Sequence, residues 1–296
     1  MSISTSPSTG KIYGLKRVCS VWKIARSTVY ERRRRTRSKA VKQKPGPKPK
    51  ISDESLLQAV RQDIKDSLFH GEGHKKIHAR LRRHKGICVG RNRVLKLMRK
   101  NNLLSPYRYV QEKAKKHDGR ITTDNPNVLW GTDATKILTV DDGWVWFFGL
   151  IEHWNAECMG WYMAKKGDRF VAIEALQQAI RAEYGSIGRG VAQGLQVRPD
   201  HGPQFTSDDF LKQLRYWGIT PSFSFVREPE TNGVVERFHR TYKEQVIHGR
   251  LYRNIEEVRE VTREFIENYN EHWLLEKLSY HSPREARRIR KLKNVA

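Results

Sequence analysis

One imbalance limits what this chain can build. Residues 1–120 hold 33 Lys/Arg against 8 Asp/Glu, whereas residues 121–296 hold 24 of each. The whole net charge of +25 therefore lies in the first part. A one-signed segment repels itself unless an anion covers it, while a balanced segment can close on its own core. The pattern is that of a basic nucleic-acid-binding region joined to a charge-balanced domain. It excludes an ordinary soluble metabolic enzyme as the default class.

Other classes fall away on simpler grounds. The longest apolar run, Trp144 to Ile151, has eight residues, against ~20 for a membrane span. The N-terminus MSISTSPSTG has no basic stretch followed by an apolar one, so no secretory signal is visible. Three widely spaced cysteines, Cys19, Cys88 and Cys158, imply no disulfide framework. The expected location is a bacterial cytoplasm, in association with the nucleoid.

Along the chain, residues 1–13 read as a disordered Ser/Thr/Pro-rich start. Residues 14–35 read as a small helix-turn-helix-like unit, with Leu15, Val18, Cys19 and Trp22 at helical spacing. Residues 36–50 form a basic Pro/Lys linker. Residues 51–104 read as a second, all-α DNA-binding domain. Leu56, Leu57, Val60 and Ile64 line one helix, Ile77 and Leu81 a second, and Val94, Leu95, Leu97 and Met98 a third. The expected outer face carries Lys75, Lys76, Arg80, Arg91, Arg93, Lys96 and Arg99, and self-repulsion makes those cations candidate DNA contacts. A linker, 105–125, leads to a core over 126–273, and a basic tail, 274–296, ends the chain. In the core the period switches to strands over 128–140, 144–151 and 160–164. A helix, a short strand at 195–197, a second helix, a strand near 219–225, and helices over 232–247 and 255–272 follow. That order predicts an α/β mixed sheet flanked by helices.

Three carboxylates in this core have positions that invite chemistry. Asp133 lies inside the first strand, where an unpaired charge is costly. Asp200 follows the short strand, at the end where open α/β sheets place ligands. If that strand pairs in parallel with the first, the two acids become neighbours, and a divalent cation resolves their repulsion. Glu236 shares a helix face with Asn232, Arg240 and Lys243, opposite Val235, Phe238, Tyr242 and Val246. Taken alone, that pattern is a surface Glu236–Arg240 salt bridge worth only ~0.3–0.5 kcal/mol. Adjacent Asp141 and Asp142 fit a hairpin turn. His74, His78, His84 and Cys88 hint at zinc but lack a C-x-x-C pair to complete four ligands, so no zinc is expected.

Five ordered motifs add a resemblance. Trp130-Gly131-Thr132-Asp133-Ala134-Thr135, Asp200-His201-Gly202-Pro203-Gln204-Phe205-Thr206-Ser207 and Pro229-Glu230-Thr231-Asn232-Gly233-Val234-Val235-Glu236 resemble the catalytic segments of retroviral-integrase-like transposases. Thirty-five residues separate Asp200 from Glu236, the spacing of that subgroup. Tyr269-Asn270-Glu271 and Tyr280-His281-Ser282-Pro283-Arg284-Glu285 resemble the C-terminal signature of OrfB-type transposases of bacterial insertion sequences. Gly73 to Leu104 resembles their upstream helical DNA-binding segment. Pro199, His201 and Trp273-Leu274-Leu275 depart from the usual pattern.

The resemblance implies a ribonuclease-H-like core with a five-stranded mixed sheet. It implies that Asp133, Asp200 and Glu236 are catalytic and hold two Mg²⁺ ions, with Mn²⁺ able to substitute. The implied activity is metal-dependent 3′-end cleavage and strand transfer at the terminal inverted repeats of an insertion sequence. Asn232, Arg240 and Lys243 would then meet DNA beside the catalytic acids. Implied partners are double-stranded DNA at element ends and target, a second copy or higher oligomer in the synaptic complex, and an upstream-frame (OrfA) protein or fusion. No membrane partner is expected. Two alternatives use the same residues differently: an inactive DNA-binding regulator descended from a transposase, and a nuclease on the same core.

Overall fold

A computed structural model describes residues 3–37, 50–106, 123–223 and 232–295. Residues 38–49 of the expected Pro/Lys linker and most of the expected 105–125 linker lie outside the described residues, and residues 36 and 37 belong to the second helix. The chain divides into two units, Met1–Ile51 and Ser52–Ala296. In the first, α1 (Gly14–Val21) and α2 (Arg26–Arg37) are joined by a short turn through Lys23, whose φ is 51°. Cys19 is buried between them, while Trp22, expected on the inner face, is 58% exposed.

The second unit begins with three helices, α3 (Asp53–Asp66), α4 (His74–His84) and α5 (Arg91–Lys100). Ser52 caps α3 by accepting the Ser55 N–H. Leu56, Val60, Ile77, Leu81, Val94 and Met98 are fully buried and form this domain's core. One inner-face expectation changes: Ile64 is 38% exposed and its neighbour Asp63 is buried. Asp63 is drawn in by Arg80, which donates to both its oxygens. Burying a paired charge costs far less than burying a lone one.

The core sheet contains β1 (Leu129–Thr139), β2 (Gly143–Glu152), β3 (Cys158–Ala164), β4 (Gln196–Arg198) and β5 (Thr220–Pro221). Its order is β3-β2-β1-β4-β5. The first three strands are antiparallel, and β4 lies parallel to both β1 and β5. One face is covered by α6 (Arg169–Tyr184), α7 (Pro203–Thr206) and α8 (Asp208–Trp217). The other is covered by α9 (Gly233–Tyr242) and α10 (Ile255–His272). The helix expected over 232–247 is α-helical only to Tyr242 and continues as a π turn, Lys243–Ile247. Asp141 and Asp142 sit at the β1–β2 hairpin and tie it to the start of α10, with Asp142 accepting the Ile255 N–H at 2.9 Å.

The stretch 274–296, expected as a basic tail, is largely folded. It holds a short 3₁₀ turn and α11 (Pro283–Val295), and Arg287 is inserted among Glu152, Glu157 and Glu183. The sequence showed its charge but not the acids that meet it. No helix among the described residues is long and apolar enough to cross a membrane.

Candidate active site

The parallel register of β1 and β4 builds the site. Gly131 lies opposite Arg198, so the strands continue toward Asp133 on one side and Asp200 on the other. Thr132 and Thr135 are buried around Asp133. The Asp133 carboxyl accepts the Ala134 N–H at 2.7 Å, and Asp200 accepts the Gly202 N–H at 2.9 Å. Val235, Phe238 and Tyr242 bury the inner stripe of α9 completely or nearly so. That packing turns Glu236 and Arg240 outward on the opposite face.

The other two acids act on Asp133. Burial pushes the Asp133 carboxyl up to about 6, and the charges of Asp200 and Glu236 push it the same way. The Ala134 N–H and the Lys243 ammonium oppose that shift. Lys243 therefore stands within the field of the site. No Glu236–Arg240 ion pair forms, so the surface-bridge reading does not describe this helix.

The donor set fits a hard divalent cation. It offers only carboxylate oxygens, and a cation would offset the burial that chiefly raises Asp133 and the repulsion that adds to it. Among the described residues no three His, Cys, Asp or Glu side chains are drawn together tightly enough to enclose an ion. The acids share a field here rather than a closed cage. His78 of the zinc hint uses its ring Nε2 on the Val89 carbonyl at 2.9 Å.

Asn232 is placed differently from the expectation that it meets DNA. It is 7% exposed, and its amide donates to the Thr132 carbonyl at 3.4 Å. It thus pins the first turn of α9 to the strand that carries Asp133. Two residues of this knot escaped the sequence reading. Gly131 lets α9 approach, and His153, buried beside Asn232, is held neutral by burial with a pKa lowered to about 4. The glycine within Trp130-Gly131-Thr132-Asp133 was the available signal; nothing local marked His153.

The expected basic face of the helical domain divides in two. Lys75 pairs with Glu276 at 2.6 Å, Lys76 with Glu72 at 3.1 Å, and Arg93 with Asp53 at 2.5 Å. Arg80, expected outside, is bound into the buried cluster with Asp63 and Glu72. Arg91, Lys96 and Arg99 are exposed.

Comparison with known proteins agrees with this layout. Two models of the integrase core domain match residues 123–229 and 217–283, and an HTH-like domain matches residues 52–111. The chain is 26% identical over 284 residues to the transposase for insertion sequence element IS629 of Shigella sonnei, covering 93% of this chain and 91% of that protein. It is 30% identical over 146 residues to transposase InsF for insertion sequence IS3A of Escherichia coli (strain K12), about half of each chain. The chain is homologous to insertion-sequence transposases and carries an integrase core domain behind an HTH-like domain. Among solved structures it resembles the catalytic core domain of BIV integrase, with a TM-score of 0.41 at 18% identity, over 57% of this chain and 99% of that one. It also resembles the HTLV-2 integrase catalytic core domain in complex with magnesium, with a TM-score of 0.37 at 17% identity over 53% of this chain and 94% of that one.

Proposed function

We propose that this transposase binds the terminal inverted repeats of an insertion sequence and catalyses metal-dependent 3′-end cleavage and strand transfer. The observation that carries the reading is Asp133: a half-buried strand carboxylate raised to about 6 by burial and by the charges of Asp200 and Glu236. Asp133, Asp200 and Glu236 would hold two Mg²⁺ ions, with Mn²⁺ able to substitute. Bound there, the ions would supply activation of the attacking water or 3′-hydroxyl and charge neutralisation at the leaving oxygen.

The remaining roles fall to the chain's own groups. Lys243 and Arg240, on and just beyond α9, hold the phosphates next to the scissile bond. The Thr132 carbonyl and the Asn232 amide fix the angle at which α9 presents Glu236. The helical domains supply most of the affinity for the ends, through phosphate contacts that are steeply salt-dependent. A second copy, and an upstream-frame protein or fusion, complete the assembly that brings two ends together. The site of action is the bacterial nucleoid.

The test is strand joining on a labelled end duplex with Mg²⁺ or Mn²⁺. Asp133→Asn, Asp200→Asn and Glu236→Gln are each expected to abolish joining while end binding persists. Robust joining by any one of them removes that residue from the catalytic set. Metal-dependent cutting with no joining by the wild type would favour a nuclease, and binding alone would favour a regulator.

A further inference from the structure

The cationic face of α4 is turned toward the catalytic core. Lys75 Nζ donates to both carboxylate oxygens of Glu276, at 2.8 and 2.6 Å. Lys76 Nζ lies 2.8 Å from the ring centroid of Trp273, and Phe69 meets the same ring edge-on at 4.8 Å. Trp273 stacks in turn on Tyr269 of α10 at 5.9 Å. Arg83 donates to Glu285 at 2.6 Å and also to the Tyr280 carbonyl.

A second attachment falls on the continuation of α9. Gln245, buried in the π turn, accepts the His70 N–H and donates to the His70 carbonyl, both at 2.8 Å. Gln245 lies nine residues beyond Glu236 on one unbroken helical segment. The helical domain thus grips the element that carries a catalytic acid. None of these links belongs to the domain's own core of Leu56, Val60, Ile77, Leu81, Val94 and Met98.

We propose that these contacts are a clasp that fixes the helical domain on the catalytic core, with α4 as the docking helix and the exposed Lys96, Arg99 and Lys100 of α5 left to meet DNA phosphates. The clasp rests on the transposase reading, because its purpose is to place a bound element end at a set distance from Glu236. Its strength is graded. Lys75 and Glu276 are largely exposed, so that pair contributes little. The Lys76–Trp273–Phe69 contact is desolvated and carries more. A phosphate would have to strip Lys76 from both Glu72 and Trp273 to use it. The clasp also gives Trp273, which departs from the family pattern, a definite task.

The test uses the full chain and reads two quantities on the same end duplex: binding affinity and strand joining. Glu276→Lys and Lys75→Glu should each lower joining by about threefold with affinity changed by no more than about twofold, and the double swap should restore joining. Trp273→Ala should lower joining by about tenfold or more with affinity retained. Lys96→Ala with Arg99→Ala should instead weaken affinity by about tenfold. The swap variants alter exposed side chains and so remain informative if Trp273→Ala folds poorly. Lost affinity in Lys75→Glu that Glu276→Lys does not restore would make Lys75 a DNA contact and overturn the proposal. Increased joining in Trp273→Ala would make the contact an inhibitory latch, and unchanged joining in every variant would leave the clasp without a role. Failure of the wild type to join any end would overturn the transposase reading instead.

Discussion

At the scale of single residues, Asp133 carries a cost. Its folded pKa, about 6, lies above the ordinary 3.8. Between those values the native state binds more protons than the unfolded state, so stability falls as pH rises through that window. The full shift would correspond to about 3 kcal/mol, and partial solvation reduces this to about 1–2 kcal/mol. In protein stripped of divalent cations, Asp133→Asn should therefore raise Tm at pH 7.5, with the gain gone by pH 4. Equal gains at both pH values, read by thermal denaturation, would show that no raised carboxyl is involved. Arg240 and Lys243 make a separate expectation. On the proposed function, the Arg240→Ala, Lys243→Ala double variant should lose joining by about tenfold and end binding by much less, because the phosphates these two would hold lie at the reaction. Near-normal joining would place both side chains away from the DNA. The acids were legible in the sequence because their spacing and flanking residues are distinctive. The burial of Asn232 was not, because its partner is a backbone carbonyl a hundred positions away.

At the scale of elements, the site depends on how closely α9 approaches β1. A Cβ at Gly131 would lie 2.3 Å from Val235 Cγ2, 2.7 Å from Asn232 Oδ1 and 2.9 Å from His153 Nε2. Gly131→Ala should therefore push α9 off the strand. We expect a loss of about 2 kcal/mol in stability, with joining reduced by about tenfold and end binding retained. Wild-type joining by a folded Gly131→Ala protein would show that the spacing has slack. Several helices were readable from periodicity to the residue, as with α4 (His74–His84) and α10 (Ile255–His272), whereas of the strand expected near 219–225 only Thr220–Pro221 is strand among the described residues. The exceptions are instructive. Ile64 has the right spacing to be inside, but Arg80, itself held by Glu72, pulls Asp63 inward instead. The π turn after Tyr242 had no signal in the periodicity; within it Gln245 bonds the distant His70 backbone.

At the scale of the whole chain, the charge split that the sequence displays is only half of the electrostatic design. The zero net charge of residues 121–296 hides a last helix that is basic and a sheet end that is acidic. They meet at Arg287, whose side chain is 11% exposed and which bonds Glu157 and Glu183, both at 2.7 Å, with Glu152 at 3.8 Å. Glu152 is fully buried, and burial raises its pKa even though the Asn127 and Trp154 N–H groups, Arg287 and the Trp130 indole N–H favour its charge. No pattern within 274–296 predicts this, because the acids come from β2, the β2–β3 turn and α6. Removing the cation leaves the buried carboxylate without its ionic partner, which typically costs about 3–5 kcal/mol. Arg287→Ala should therefore destabilise the protein strongly at pH 8. The loss should shrink toward pH 5, because the folded protein can then protonate Glu152 and shed the charge that Arg287 balanced. Arg287→Lys should recover part of the stability by restoring the charge without the fork that reaches several acids at once. Thermal denaturation of the three proteins across that range decides the matter. A loss independent of pH would mean that Arg287 contributes by packing against Met159 rather than by balancing Glu152.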